Sequence, residues 1–164
     1  MRLHLSRWQV IGFAVWIAVF AWAAVPTHYW IVIRSVTVTD RYLGERLPQN
    51  RILEIERSIN ANFRATYTIE EQWRQADGAW LTVKQCRSPS VIQYRTDKAL
   101  PDPVTAGWWA WGPCDGVQPR ATPDDGELRL CTWHHVMVLP FLSVLSKSSP
   151  GTCSASYRGR LLPP

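Results

Sequence analysis

One stretch of the chain is unusually rich in tryptophan: Gly107-Trp108-Trp109-Ala110-Trp111. If this stretch is a strand, Trp109 and Trp111 lie on one face and Trp108 lies on the other, because successive strand side chains alternate. Exposed indoles in a line can stack on sugar rings, which predicts a glycan- or peptidoglycan-binding site at Trp108, Trp109 and Trp111. The competing interpretation is that at least one of them is the core tryptophan beside a disulfide that β-sandwich domains often contain.

His134 and His135 form the one adjacent pair that could bind a metal ion or transfer protons. Adjacent residues of a strand point to opposite faces, so the pair cannot bind one ion unless the strand bulges. We therefore expect one imidazole to face solvent and the other to pack with Trp133 or at the sheet edge. No metal site is predicted.

The acidic residues show no catalytic pattern. Asp124-Asp125-Gly126 lacks the oxygen-ligand spacing of a calcium loop and is typical of a turn. Glu70 and Glu71 are expected to be solvent-facing charges. The chain has no Gly-x-Ser-x-Gly, no phosphate-binding glycine loop and no His-Glu-x-x-His. We expect a protein that is not an enzyme and needs no cofactor, although a hydrolase with an unrecognised site is kept as an alternative.

Four cysteines are present: Cys86, Cys114, Cys131 and Cys153. An even number in an oxidising compartment predicts two disulfides, with three connectivities open. Four free thiols are an alternative, as is a zinc site with the two histidines, but no Cys-x-x-Cys or His-x₃-His spacing occurs. Cys131 and Cys153 would lie on successive strands joined by a reversal, which could bring them into bridging range. Cys86 would then pair with Cys114 across a proline-rich loop.

Length and composition limit the class of protein. The 164 residues leave room for one domain plus a membrane anchor. A hydrophobic share of 46% with ten tryptophans exceeds what a disordered chain contains. The net charge of +5 includes no Lys/Arg block, so the basic character does not indicate nucleic acid and no such partner is expected.

The N-terminus predicts a membrane helix. Residues 1–7 form a basic flank, and residues 8–25 contain no charged side chain. Eighteen helical residues extend about 27 Å, which is close to the thickness of a thin hydrocarbon layer. Trp8 at one end and Tyr29 with Trp30 at the other suit the two headgroup regions. Because a basic flank stays in the cytoplasm, we expect a single pass through the inner membrane, with everything after Pro26 in the periplasm.

A cleaved signal peptide is the alternative for the same segment. The apolar run from Val10 to Phe20 is followed by small residues, as a signal peptidase requires. Cleavage near Ala23 would release a secreted protein. In both cases residues 26–29 form a joint and residues 30–164 form an exported domain.

The rest of the chain predicts short strands and turns. In Phe63–Arg74, apolar side chains alternate with polar ones, broken only at Glu71, as in a half-buried antiparallel strand. Asp77-Gly78 then predicts a tight hairpin turn. The predicted strands are 30–39, 51–59 (ambiguous with helix), 63–74, 80–86, 91–95, 104–111, 128–139 (ended by Pro140) and 152–158. This pattern predicts an all-β fold, an immunoglobulin-like antiparallel sandwich.

Several short motifs carry a resemblance. They are Asp40 with Gly44-Glu45 and Pro48, Arg57-x-Ile59, Phe63-Arg64-Ala65-x-Tyr67, Ala99-Leu100-Pro101, Trp108-Trp109-x-Trp111, Cys114, and Leu130-x-Thr132-Trp133. In these the chain resembles a loose group of small, prophage-encoded, single-pass membrane proteins of proteobacteria. The resemblance implies a short N-terminal helix and an exported β domain of unassigned role, and no catalytic residue. The cysteine pair Cys131 and Cys153 departs from the pattern of the group.

The function expected from these features is that of a membrane-tethered, non-enzymatic binding domain outside the cytoplasm. Its partner would be an envelope protein, a second copy of the chain, or a phage component. The first alternative is a peptidoglycan- or glycan-binding module that uses the segment from Trp108 to Trp111. The second alternative is an envelope hydrolase.

Overall fold

The computed structural model describes residues 6–24, 32–116, 126–139 and 142–162. Several predictions fall outside these ranges. They concern the joint at 26–29, the interfacial residues Tyr29 and Trp30, the acidic pair Asp124 and Asp125, and Pro140 as a strand end.

The N-terminal element is helix α1, Arg7–Ala24. It begins with a reciprocal cap, in which the Gln9 backbone N–H donates to the Ser6 hydroxyl and the Ser6 N–H donates to the Gln9 side-chain oxygen. Large apolar side chains are exposed on all sides of the helix. They are Trp8, Val10, Ile11, Phe13, Val15, Trp16, Ile17, Val19 and Phe20.

Among the residues that the structure describes, no helix is both long enough and apolar enough to cross a membrane. The transmembrane span predicted at residues 8–25 is therefore not found. Helix α1 begins at the charged Arg7, carries the polar Gln9, and has 18 residues.

A three-stranded antiparallel sheet follows the helix in sequence. Its strands are β1 (Val32–Tyr42), β2 (Arg51–Ser58) and β6 (Val104–Thr105), in the order β1-β2-β6. A 3₁₀ turn at Pro48–Asn50 leads into β2. Val36 lies opposite Ile55 on these strands. The strand interpretation of the ambiguous segment 51–59 is thus confirmed.

The second sheet has eight strands. They are β3 (Phe63–Arg74), β4 (Trp80–Arg87), β5 (Ile92–Tyr94), β7 (Cys114–Asp115), β8 (Glu127–Leu139), β9 (Leu142–Ser148), β10 (Thr152–Cys153) and β11 (Tyr157–Arg158). Its main path is β10-β8-β3-β4-β7, with β5 on β3 and both β9 and β11 on β8. The β3–β4 hairpin turns at Gly78, which has φ +85°. This confirms the predicted turn, because only glycine adopts such a φ without strain.

The two sheets share one hydrophobic core. Val36 and Leu53 of the smaller sheet cluster with Ile69, Leu128 and Leu130 of the larger one, and all five are buried. The alternation predicted for β3 arises because one side of that strand faces this core. The antiparallel, all-β character is confirmed, and the immunoglobulin-like type stays a prediction.

Both predicted disulfides are present, with the predicted pairing. Cys86–Cys114 joins β4 to β7, and Cys131–Cys153 joins β8 to β10. In each case the cysteines are directly opposite each other, and their Cα atoms are 3.9 and 4.0 Å apart. Each bridge therefore links neighbouring strands of one sheet and not the two sheets. Strand β9 lies between β8 and β10 in sequence, so these two are not the successive strands that were expected.

The prediction of one strand at 104–111 is wrong. Val104 and Thr105 form β6, and the chain then turns into helix α2, Ala106–Trp109. The Thr105 hydroxyl accepts a hydrogen bond from the Trp108 N–H at 3.2 Å. Threonine is a favourable N-cap, and this cap starts the helix where strand propensity alone predicted continuation.

The expectation for Glu71 is also wrong. Its side chain is 1% exposed, and it lies on the core side of β3, where it interrupts the apolar pattern. One carboxylate oxygen accepts hydrogen bonds from the Tyr157 hydroxyl and the Leu161 N–H, each at 2.8 Å. Burial raises the pKa of this carboxyl group. Glu71 thus fastens the C-terminal segment to the sheet.

Candidate functional site

A cavity of about 620 Å³ lies between the two sheets, and we call it the tryptophan cavity. Strands β1 and β2 form one wall with Ile33 and Ile55. Strands β3, β5 and β8 form the other wall and the floor. Trp108, Trp109 and Trp111 close the cavity together with Arg95 and residues 98–101 of the loop before β6. A volume of this size is typical of a small-ligand site.

The three tryptophans differ in exposure, and the grouping is not the one that the strand prediction gave. Trp109 is 6% exposed and belongs to the core cluster. Trp108 and Trp111 are 47% and 55% exposed, and both line the cavity. Helix α2 ends at Trp109 and Trp111 lies beyond its Ala110 C-cap, so strand alternation does not apply here, and Trp109 is buried while Trp108 and Trp111 are exposed.

Tyr67 of β3 fixes this segment from below. Its hydroxyl donates to the Trp109 carbonyl oxygen at 2.6 Å and also hydrogen-bonds with the Trp111 side chain. The indole N–H is a donor only, so Trp111 donates and the Tyr67 oxygen accepts. Burial raises the pKa of Tyr67 to about 12, so the hydroxyl keeps its proton at neutral pH. The bond to the Trp109 carbonyl fastens the backbone of this segment to β3.

Gly112 lets the same segment pack tightly on β4. A Cβ atom at Gly112 would lie 1.8 Å from the Arg87 carbonyl oxygen, far inside van der Waals contact. The Arg87 backbone N–H donates to the Pro113 carbonyl oxygen at 3.0 Å. The next residue, Cys114, is held to β4 by its disulfide. The segment that contains Trp111 is therefore fixed to the larger sheet on both sides of this residue.

The charged residues that line the cavity are all basic. They are Arg57, Arg95 and Lys98, and none of the described lining residues is acidic. Arg95 forms a two-bonded ion pair with Asp97, which lies outside the cavity. The Arg57 guanidinium donates to the Lys98 backbone carbonyl. The cavity is therefore positively charged.

The floor of the cavity is aromatic. His134 is 2% exposed, and its ring lies 5.5 Å from that of Tyr94 and 6.0 Å from that of Tyr67. Burial lowers the pKa of His134 to about 4, assisted by the neighbouring His135, so the imidazole is neutral at pH 7. His135 points to the opposite face, where it contacts the Thr68 and Ser148 hydroxyls. His134 thus packs against Tyr94 and Tyr67, and not against Trp133 as one expectation had it.

The lining side chains provide aromatic faces, aliphatic walls, and basic and amide groups. Among the described residues that line the cavity there is no serine, cysteine or carboxylate. Within the part of the chain that the structure describes, no cluster of three or more His, Cys, Asp or Glu side chains could hold a metal ion. Stacking faces, apolar walls and basic groups together can hold a ligand that has flat apolar surfaces and polar edges.

Sequence reasoning identified the tryptophans but missed the rest of the cavity. Arg57, Tyr67 and Lys98 come from three separate segments, and nothing in their local sequence marks them as neighbours of Trp108. One signal was available, because several residues that carry the resemblance converge here. These are Arg57, Tyr67, Ala99, Leu100, Pro101, Trp108, Trp109 and Trp111.

The fold and the cavity define a disulfide-containing, two-sheet β domain with an aromatic and basic ligand cavity. No family model, no curated protein and no solved structure matches the chain. Function is therefore inferred from the cavity itself.

Proposed function

We propose that this protein is a non-enzymatic binding domain outside the cytoplasm, and that the tryptophan cavity binds a glycan of the cell envelope. The observation that carries the proposal is the pair of half-exposed indoles, Trp108 and Trp111, at a cavity of about 620 Å³. Indoles have the largest apolar faces among side chains, and leaving two of them in water is unfavourable unless a partner covers them.

Glycan chemistry matches the lining. Sugar rings have apolar C–H faces that stack on indoles, and they have hydroxyl edges that need hydrogen-bonding groups. Gln93, Arg57 and Lys98 supply such groups around the apolar walls. Tyr67 fastens the Trp109 backbone to β3 before any ligand arrives, which lowers the entropic cost of ordering this segment on binding.

The disulfides support a location outside the cytoplasm. All four cysteines are paired, and disulfides persist in oxidising compartments such as the periplasm. A reporter enzyme active only in the periplasm, fused after Pro164, should be active. Activity of a reporter that works only in the cytoplasm would contradict this location.

Helix α1 supports attachment to lipid. Its apolar side chains are exposed around the whole circumference, and such a helix is stable where a non-aqueous surrounding covers it. Arg2 and Arg7 add a basic end that anionic headgroups attract. Three proposals rest on the sequence alone: that the helix tethers the protein to the membrane, that the chain is cleaved near Ala23, and that the protein is of prophage origin.

The test is co-sedimentation of the full chain, in mild detergent, with insoluble peptidoglycan. We expect the wild-type protein to sediment, and Trp108→Ala with Trp111→Ala to stay in the supernatant. Trp80→Ala is the matched control, since Trp80 stacks under Arg129 and does not line the cavity. Equal sedimentation of all variants would contradict the proposal.

Contact with an envelope or phage protein, the first expectation from the sequence, now ranks second. In the described part of the chain, no surface indicates a protein contact site as specifically as the cavity indicates a ligand site. Two results together would support a protein partner. The protein would not sediment with peptidoglycan, and an acidic peptide would protect the indoles from a fluorescence quencher.

A further inference from the structure

We infer that the tryptophan cavity selects an acidic glycan, whose carboxylate is held by Arg57 and Lys98 while its rings stack on Trp108 and Trp111. This inference rests on the proposed glycan-binding function and adds the charge of the ligand. It is carried by the charge and position of the basic side chains at the cavity.

The first step concerns unpaired charge. The ion pairs among the described residues join Arg41 to Glu54, Arg51 to Asp40, Arg74 to Glu127 and Arg95 to Asp97. Neither Arg57 nor Lys98 takes part in them. Both line the cavity, so two basic groups face it without a carboxylate partner among the described residues.

The second step concerns the position of the Arg57 guanidinium. The Arg57 guanidinium donates to the backbone carbonyl of Lys98, which joins strand β2 to the loop at 95–101. This bond uses one donor of the five on the guanidinium and leaves the others for a ligand. The planar group suits a carboxylate, which it can bind through two parallel hydrogen bonds.

The third step concerns the surroundings. Arg57 lies close enough to Tyr94 to oppose the rise in the pKa of that hydroxyl, a rise caused mainly by burial. The guanidinium thus stands at the edge of an apolar, aromatic enclosure, where attraction between opposite charges is stronger than in bulk water. A neutral sugar would gain stacking there but not this attraction.

The occupant is a glycan and not an acidic peptide because of the paired indoles. Two half-exposed rings in one cavity match successive sugar rings, whereas a peptide chain needs backbone partners. Apart from Gln93 and the hydroxyls of Tyr67 and Tyr94, the walls of the described cavity are aliphatic, aromatic or basic. Charge complementarity then selects the acidic member of the class.

The experiment compares two tetrasaccharides on the full chain in detergent by isothermal titration calorimetry. One is the neutral tetramer of N-acetylglucosamine. The other is a peptide-free tetramer in which N-acetylglucosamine alternates with N-acetylmuramic acid, so that the backbone is the same and each muramic acid adds one free carboxylate. We expect the acidic tetramer to bind at least about tenfold more tightly at low salt, the effect of roughly one charge-assisted hydrogen bond.

Two variants separate charge from stacking. Lys98→Gln should weaken binding of the acidic tetramer severalfold more than binding of the neutral tetramer, because glutamine keeps a hydrogen-bonding group but removes the charge. Arg34→Gln is the control, because it removes the same unit charge from an exposed side chain that does not line the cavity. Trp111→Ala should weaken binding of both tetramers.

Each outcome has one meaning. Equal affinity for the two tetramers would overturn the inference and leave the proposed glycan-binding function standing. Binding of neither tetramer would overturn the proposed function. Displacement of the acidic tetramer by a short poly-glutamate peptide of equal charge would overturn the inference in favour of a protein partner. A preference that disappears in Arg34→Gln would overturn the assignment of the charge to Lys98.

Discussion

Trp109 and Trp111 are two residues apart, yet one is buried in the core and the other faces the cavity. The difference follows from backbone conformation and not from residue type. A strand would place both on one face, whereas helix α2 ends at Trp109 and the chain is not a strand here. Trp109 is thus the buried core tryptophan that one interpretation expected, and glycan binding by Trp108 and Trp111 stays a proposal.

The first prediction concerns this division. Trp109→Ala should lower the free energy of unfolding by about 3–5 kcal/mol, the usual cost of truncating a buried large aromatic side chain. Trp108→Ala should cost much less, because the Trp108 ring is 47% exposed. Urea denaturation of the two variants and the wild type measures both values. Equal losses would contradict the assignment of Trp109 to the core.

The second prediction concerns His134. Its pKa falls from 6.5 to about 4 in the folded state because the ring is buried. A depressed pKa for a base means that stability is fully present above about pH 6.5 and is lost as the pH falls towards 4. The loss between pH 7 and pH 4 is about 3 kcal/mol for this group.

His134→Phe should remove this part of the acid-induced loss, since phenylalanine fills the site without titrating. The measurement is the free energy of unfolding at several pH values between 7 and 4. Glu71, whose pKa is raised, acts in the opposite direction, because its contribution is lost as the pH rises through the folded pKa. The contribution of Glu71 to the pH dependence is the same in the variant and in the wild type, so it cancels when the two are compared. An unchanged pH slope in His134→Phe would contradict a neutral buried imidazole.

At the scale of elements, Gly112 decides where the tryptophan segment packs. Gly112→Ala would place a Cβ 1.8 Å from the Arg87 carbonyl oxygen, which forces the segment away from β4. We expect a loss of stability of several kcal/mol, as for overpacking, together with loss of glycan binding. Gly116→Ala is the matched control, since nothing lies within 4 Å of its added Cβ. Thermal melts and peptidoglycan sedimentation of both variants test this.

The elements that the sequence predicted well are those with long alternating patterns. β3, β4 and the turn at Gly78 were predictable because a half-buried strand alternates and a tight turn needs glycine. Helix α2 was not, because four residues carry too little periodicity to compete with the strand propensity of Val104 and Thr105. Only the N-cap at Thr105 could have indicated it.

The cavity was predictable only in part for a related reason. Trp108 and Trp111 stand out by composition, but Arg57, Tyr67 and Lys98 come together through long-range pairing of strands. The environment of Glu71 was hard to predict for the same reason. A carboxylate on the apolar side of a strand indicates either that this part of the face is exposed or that the carboxylate is buried with a hydrogen-bonding partner. Its partners, Tyr157 and the Leu161 N–H, lie 86 and 90 residues away.

At the scale of the whole molecule, the disulfides fix the edges of the larger sheet. They close loops of 28 and 22 residues, and the chain-entropy model gives each about 3–4 kcal/mol. A domain of this size is stable by only about 5–15 kcal/mol. Cys86→Ala with Cys114→Ala should therefore lower the melting temperature by several degrees or more, and so should Cys131→Ala with Cys153→Ala.

The two double variants should differ in function. Cys114 lies three residues after Trp111, so loss of its bridge should also weaken glycan binding. The bridge between Cys131 and Cys153 joins β8 to β10, away from the cavity lining, and its loss should change stability alone. Sedimentation with peptidoglycan below the melting temperature of each variant distinguishes them, and equal loss of binding would contradict this account.

The central claim is that a glycan occupies the tryptophan cavity. The most direct measurement is an NMR titration of the ten tryptophan indole N–H signals of the full chain with the acidic tetrasaccharide. The account predicts that the Trp108 and Trp111 signals shift progressively and saturate, while those of Trp80 and Trp133, outside the cavity, stay in place. Shifts at Trp80 or Trp133 with none at Trp108 and Trp111 would contradict it.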